Sequence, residues 1–313
     1  MKENVFIAGH RGMVGSAVYN QLKNKDRFNL ITASSEELDL RNKEAVFSFF
    51  DRFNIDHVIL CAAKVGGILA NNTYRSDFIN DNLQIGLNVI NACFNYKVNK
   101  FINLGSSCIY PKEASIPIKE EDLLSGKLES TNEPYAIAKI ATLKNCEAFY
   151  HQHKSNFYSL MPCNLYGEND NFELQSSHVL PALINKFHMA KESQSDSVEL
   201  WGSGKPMREF LYVQDLAKVI EYCLININAE DIYSKGISHL NCGSNEEVSI
   251  LELAYIIKNT VDYHGEIVFD ASKPDGTFRK KMDNSKLFSF YQDSQTSLQE
   301  GIAKTYSWFK KNI

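Results

Sequence analysis

The 313-residue sequence predicts an α/β fold: a doubly wound parallel sheet carrying a smaller C-terminal lobe. Three observations predict it. Short apolar runs alternate with helical patterns through the first half, which implies parallel strands with both faces covered. A glycine-rich turn joins the first apolar run to the first helical pattern. After Pro162 the texture shifts to Asn-, Gly- and Pro-rich turns with shorter elements, so a second packing unit starts there.

Strands are expected at 4–8, 29–32, 57–62, 100–105 and 157–161, and helices at 13–24, 43–53, 78–96 and 134–152. Val58 to Ala63 is an unbroken apolar run of buried-strand type; Lys64-Val65-Gly66-Gly67 then lets backbone approach a ligand closely. Beyond Pro162, Ser176-Ser177 precede a helix that aligns Val179, Leu180, Leu183, Ile184 and Phe187 on one face. The last helix opens on a capping box, Ser297-Leu298-Gln299-Glu300, and runs through Trp308.

The turn after the first strand reads Gly9-His10-Arg11-Gly12-Met13-Val14-Gly15. Three glycines spaced G-x-x-G-x-x-G permit a tight turn and bring a pyrophosphate to a helix N-terminus, where unpaired N–H groups favour negative charge. Strand before and helix after mark a dinucleotide site of Rossmann type. Residues 1–165 form that domain, with a returning segment near 205–240, and 166–313 form mainly the smaller lobe. The second strand runs into Ala33-Ser34-Ser35, with no acid before Glu36. Arg11, Ser34 and Ser35 suit a 2′-phosphate, so NADP(H) is the expected cofactor; Glu36 or Glu37 as the acid of an NAD site is the competing reading. Asp39-Leu40 meets the adenine edge, or Asp39 caps the next helix.

Ligands in such sheets bind beyond the carboxyl ends of the strands. The fourth strand ends on Leu104-Gly105-Ser106-Ser107-Cys108, and Tyr135 and Lys139 lie four apart on one helix face. An ammonium lowers the pKa of a nearby phenol, and Ser106 can bond the same carbonyl oxygen. That set delivers a proton in a ketone reduction or takes one in an alcohol oxidation.

A net charge of −5 and a pI near 5.9 argue against nucleic acid or an anionic membrane as a main partner. No apolar stretch approaches the ~20 residues of a span, and Met1 to Asn4 lead straight into a strand, leaving no room for a signal peptide. Seven cysteines without a C-x-x-C pair fit the reducing cytoplasm. No metal spacing occurs; His151 and His153, two apart on a helix, diverge.

Over essentially its whole length the chain resembles the extended short-chain dehydrogenase/reductases that act on nucleotide sugars, and within them the GDP-L-fucose synthase family. The resemblance is carried by Gly9 to Ala17, Ala62-Ala63-Lys64-Val65-Gly66-Gly67-Ile68 with Asn71 to Tyr74, Leu104 to Pro111 and Asn132 to Lys139. Asn164-Leu165-Tyr166-Gly167, Trp201 to Gly204 with Arg208-Glu209-Phe210, and Phe269 to Gly276 extend it. It implies NADPH as hydride donor to C4 of a GDP-linked 4-keto sugar, with Tyr135, Lys139 and Ser106 handling the proton. It implies Cys108 and His178 as the pair that inverts C3 and C5, against the plainer readings of a buried filler and a helix cap. Ser106 and Cys108, two apart, point to one side if the backbone is extended, and a thiolate beside a cationic Lys and His is expected at neutral pH.

The resemblance further assigns Ala62, Ala63, Leu104, Gly105, Pro162, Asn164, Leu165 and His178 to the cofactor. It assigns Ser107, Asn164, Lys186, Trp201, Arg208, Lys273 and Asp275 to the GDP-sugar, and implies a homodimer through the helices near 78–96 and 134–152. Trp201 as a core residue and Lys186 as a solvated lysine are the alternatives. Three departures stand out: no arginine follows the second strand at 33–35, Gln214-Asp215 replaces an Asp pair, and the loop Glu168 to Glu173 is acidic. They leave open a reductase that does not epimerise and acts on a related sugar such as a 4-keto heptose. Related dehydratases carry an Asp-Glu pair where this chain has Ser107-Cys108, so water elimination is not expected.

Overall fold

The computed structural model describes residues 2–174, 176–244, 246–270, 272 and 277–312. The first half alternates β1 (Glu3–Ala8), α1 (Met13–Leu22), β2 (Phe28–Ile31), α2 (Lys43–Arg52), β3 (His57–Leu60), α3 (Ile68–Thr73), α4 (Arg75–Asn95), β4 (Lys100–Leu104), α5 (Glu133–His153) and β5 (Phe157–Pro162). Then follow β6 (Asn164–Tyr166), α6 (Val179–Glu192), β7 (Ser197–Trp201), β8 (Met207–Tyr212), α7 (Val213–Asn226), α8 (Ala229–Tyr233) and β9 (Leu240–Cys242). The chain finishes with β10 (Glu247–Ser249), α9 (Ile250–Val261), β11 (Glu266–Asp270), β12 (Arg279–Lys280), α10 (Ser285–Phe288) and α11 (Leu298–Asn312).

A six-stranded parallel sheet runs in the order β2-β1-β3-β4-β5-β9. Its strands read as unbroken apolar runs because helices cover both faces. On one face α1 packs against α7; Val18, Leu22, Ile59, Ile102, Leu160, Leu216 and Ile220 form its core. On the other, α2, α4 and α5 bury Phe6, Phe49, Phe50, Val58, Ile90 and Phe101. Strand order reverses between β1 and β3, so a crevice opens past their carboxyl ends, the place where such sheets take ligands.

The second unit is built from α6, α9 and α11 with the parallel pair β7/β11; Phe187, Ile257, Ile302 and Phe309 fill its centre. A small sheet, β10-β8-β12 with β6 alongside β8, joins the two units at the crevice. Strand and helix limits fall within a few residues of those expected from periodicity. The short α3 was not anticipated, and the cap of α2 is Asn42, whose side chain accepts from Ala45 N at 2.9 Å, rather than Asp39. Of the capping box expected at the last helix one bond is seen, Glu300 N donating to Ser297 Oγ at 3.3 Å, while the Glu300 carboxylate meets Lys304 Nζ at 2.8 Å.

Candidate active site

The glycine loop shows why its three positions are glycine. Gly9 has φ +87°, and a Cβ there would lie 2.7 Å from Ala62 N. A Cβ on Gly15 would lie 2.7 Å from Gly9 C and 2.8 Å from His10 Cα, so α1 sits directly on the turn. Gly12 has room: its Cβ would come no nearer than 3.5 Å to anything. It is the N-cap of α1, extended (φ −75°, ψ 168°), with no side-chain cap and no acid in the first turn. The first helical bond is Ser16 N to Gly12 O, so the N–H groups of Met13, Val14 and Gly15 have no intrahelical partner. The donors and the space fit a pyrophosphate. Ala62 and Ala63 line the crevice across from this loop, half-buried after β3.

Beyond β2, Ser34 is buried; its N–H donates to the Glu37 carboxylate at 2.7 Å, while Ser35, Glu36 and Glu37 are exposed. Arg11 Nη1 reaches Glu36 at 3.5 Å, both on the surface. Asp39 is neither a cap nor free: Arg41 grips both its oxygens at 2.9 and 3.0 Å. The carbonyl of Leu40 accepts from Asn88. His10 holds its Nδ1 buried without a partner in the protein.

The candidate reacting centre lies where β4 ends. Leu104 O accepts from Lys139 Nζ at 2.8 Å, and Gly105 N bonds Leu160 O, which fixes the turn that presents Ser106. Lys139 Nζ stands 5.7 Å from the Tyr135 ring centroid, and Phe78 meets that ring edge-on. Burial pushes the Tyr135 phenol up, the Cys108 sulfur adds to the rise, and a hydrogen bond from Ser106 opposes it. Burial lowers Lys139 to about 8 despite the pull of Cys108 and Cys61. Ser106, Tyr135 and Lys139 are brought together.

Cys108 reaches the same place by a different route from the one expected. Ser107 to Ile109 make a single 3-10 turn, capped by Ser106 Oγ, which accepts from Cys108 N at 3.4 Å. From Ser106 to Cys108 the backbone is extended at the first residue and then turns, so the two-residue alternation does not apply. Cys108 is nearly enclosed, and burial raises its thiol; Lys280 and Lys139 oppose that rise. It is therefore a thiol at neutral pH, not the expected thiolate. His178 is the N-cap residue of α6 and opens onto the cleft, yet the cleft walls lower its pKa by desolvation. The imidazole is neutral.

The segment Gly167 to Ser177 leads to His178 and spans the crevice. Asn169 Nδ2 donates to Ser16 Oγ at 3.1 Å, on the first turn of α1; Ser176 O accepts from Gly67 N at 2.9 Å, on the loop after β3. Glu168 accepts from Tyr212 and Gln214, which gives Gln214 a fixed place at this mouth. Burial lifts Asp170 to about 7 and leaves its Oδ2 unpartnered.

Past β5 and its terminal Pro162 the chain enters β6, where Asn164 Nδ2 donates to Glu209 O at 2.9 Å and Leu165 packs on the sheet core. Arg208 and Lys280 are register partners of β8 and β12 and so share a face. Desolvation lowers both pKa values, and among the described residues neither meets a carboxylate in an ion pair. Two half-enclosed cations side by side, with Glu129 the only carboxylate charge felt by Lys280 among the described residues, suit a diphosphate-like anion. Lys280 escaped the sequence reading; the signal was its place in β12 opposite Arg208, which only strand register reveals. Ser107 is buried within the turn. Trp201 is 65 % exposed at the end of β7, so it is not core, and Lys186 Nζ lies 5.5 Å from its ring. Lys273 and Asp275 lie outside the described residues. No group of three metal-ligating side chains occurs among the described residues, and none of their helices is long and apolar enough to cross a membrane.

The NAD dependent epimerase/dehydratase family matches residues 5–243. A GDP-L-fucose synthase of Arabidopsis thaliana is 50 % identical over 99 % of this chain and 94 % of its own. That of Escherichia coli strain K12 is 48 % identical over 99 % and 98 %. Among solved structures, a GDP-mannoheptose C4 reductase from Campylobacter jejuni with NADP bound is 39 % identical with a TM-score of 0.91, covering 99 % and 98 % of the two chains.

Proposed function

The chain belongs to the NAD dependent epimerase/dehydratase family, and within it we propose that it is an NADPH-dependent GDP-4-keto-6-deoxy-mannose epimerase/reductase of the GDP-L-fucose synthase type. The observation that carries this reading is a buried thiol, Cys108, set in one turn with Ser106 against the Tyr135 phenol and the Lys139 ammonium. No carboxylate pair stands in that turn, so a dehydratase is disfavoured.

When bound, NADPH supplies the hydride for C4 of the sugar. Tyr135 keeps its proton at rest, because burial opposes ionisation, and passes it to the ketone oxygen as charge develops there. Lys139 balances the phenolate left behind, and Ser106 bonds the same oxygen. Arg208 and Lys280 take the diphosphate, and Trp201 with Lys186 meets the nucleoside. Epimerisation draws on the acidity that the 4-keto group lends C3 and C5. Cys108 acts as base once Lys280 and Lys139 hold it as thiolate, and His178 returns a proton after the arriving diphosphate restores its charge.

A second reading, C4 reduction alone on a GDP-4-keto heptose, draws on the acidic loop Glu168 to Glu173 and on the heptose reductase likeness. The fucose synthase relatives are the more similar in sequence. We also propose a homodimer through α4 and α5, whose outer faces leave Leu87, Phe94 and Ile137 exposed, and a cytoplasmic role in making activated sugars for polysaccharide. The deciding experiment incubates the protein with NADPH and GDP-4-keto-6-deoxy-mannose in heavy water and locates deuterium in the product. Cofactor oxidation with deuterium at both C3 and C5 is expected. Oxidation without label selects the reductase, and no oxidation refutes the sugar.

A further inference from the structure

The crevice end beside β2, where the adenosine of a nicotinamide cofactor would lie, carries more carboxylates than cations and is not basic. Arg11 is 3.5 Å from Glu36. Arg41 is committed to Asp39 at 2.9 Å and to Asp81 at 3.5 Å. Lys64, the next cation along the crevice, is shared by Asp77 and Asp81 at 3.3 and 3.0 Å. Glu37 adds a further negative charge, held by Ser34 and kept below the usual carboxylate range by those bonds, with Arg11 and His10 assisting.

A 2′-phosphate brings about two negative charges and calls for surplus cations. Here Arg11 alone is placed to answer, already paired and flanked by Glu36 and Glu37, and the exposed Ser35 adds none. A ribose 2′-hydroxyl asks only for an acceptor. Glu37 is occupied by Ser34, whereas Glu36 has no partner besides Arg11 among the described residues. An ion pair this exposed opens readily.

We propose that Arg11 and Glu36 form a two-way latch that admits both NADPH and NADH: Arg11 turns to a 2′-phosphate, Glu36 to a 2′-hydroxyl. The inference rests on the nicotinamide-dependent reading above. Its test uses no sugar, so an error about the sugar leaves the result intact.

Titrating the full chain with NADPH and with NADH, read by nucleotide fluorescence, should give dissociation constants within about tenfold of each other. Glu36→Gln should tighten NADPH and weaken NADH, moving their ratio by about fivefold, and Arg11→Ala should move it the opposite way. Ser35→Arg, at a surface position, should supply the absent second cation and raise the NADPH preference. Competition by 2′,5′-ADP and by ADP should repeat the pattern without the nicotinamide. A wild-type preference for NADPH above about tenfold overturns the proposal, as does a ratio that neither Glu36→Gln nor Ser35→Arg moves.

Discussion

Gly12 and Gly15 belong to one motif, yet alanine at each should fail for a different reason. At Gly15 the new methyl would meet the backbone of the β1–α1 turn, at 2.7 Å from Gly9 C and 2.8 Å from His10 Cα. Neither atom can move without shifting the sheet. Overpacking of this kind costs about 1–3 kcal/mol or more, against a helix gain for Ala over Gly of roughly 0.5–1 kcal/mol. The net loss is about 1–2 kcal/mol, or roughly 2–3 °C in melting temperature for a chain of this size. At Gly12 the nearest atom is 3.5 Å away and φ is −75°, so alanine fits. Lost cap preference and reduced unfolded-state freedom oppose each other, each about 1 kcal/mol or less. Stability should therefore hold within about 1 kcal/mol, while the methyl covers the N–H groups that would receive the pyrophosphate. The assay is thermal unfolding of both variants beside an NADPH titration. Gly15→Ala should lose stability and binding together; Gly12→Ala should lose binding alone, by about tenfold or more. A Gly12→Ala variant that binds NADPH like wild type would refute the placing of the anion on α1.

Two further outcomes follow from the charges at the site. Lys139, lowered to about 8, is charged below that pH and loses its proton as pH rises through it, so kcat/KM for reduction should fall across that interval. Lys139→Arg, which stays protonated, should remove or displace this alkaline limb; a wild-type profile flat to pH 10 would contradict the role. Arg208→Met deletes a half-enclosed guanidinium with no carboxylate partner among the described residues, so melting temperature should hold or rise, while KM for the GDP-sugar rises about tenfold or more. A simultaneous drop in melting temperature with unchanged KM would make Arg208 structural.

Much of this was legible in the chain because single residues carried it. The glycine spacing announced the turn, the apolar runs announced buried parallel strands, and the four-residue interval of Tyr135 and Lys139 survives any helix. What escaped depends on conformations that a sequence does not print. A 3-10 turn at Ser107 to Ile109, and not an extended run, sets Cys108 beside Tyr135. Lys280 meets Arg208 across 71 intervening positions only through the register of two short strands. Asp39 looked like a cap until Arg41 proved to hold it and Asn42 took the duty. The charge state of Cys108 misled because adjacency to cations was weighed without the opposing cost of burial.

The strap from Gly167 to Ser177 ties His178 to both walls of the cofactor crevice, through Asn169 to Ser16 and through Ser176 to Gly67. A molecule settling on those walls would therefore bear on the residue at the far end of the strap before any sugar arrives. If His178 is the proton donor proposed above, order of assembly would be a property of the chain's path, the cofactor forming part of the mould in which that donor is cast.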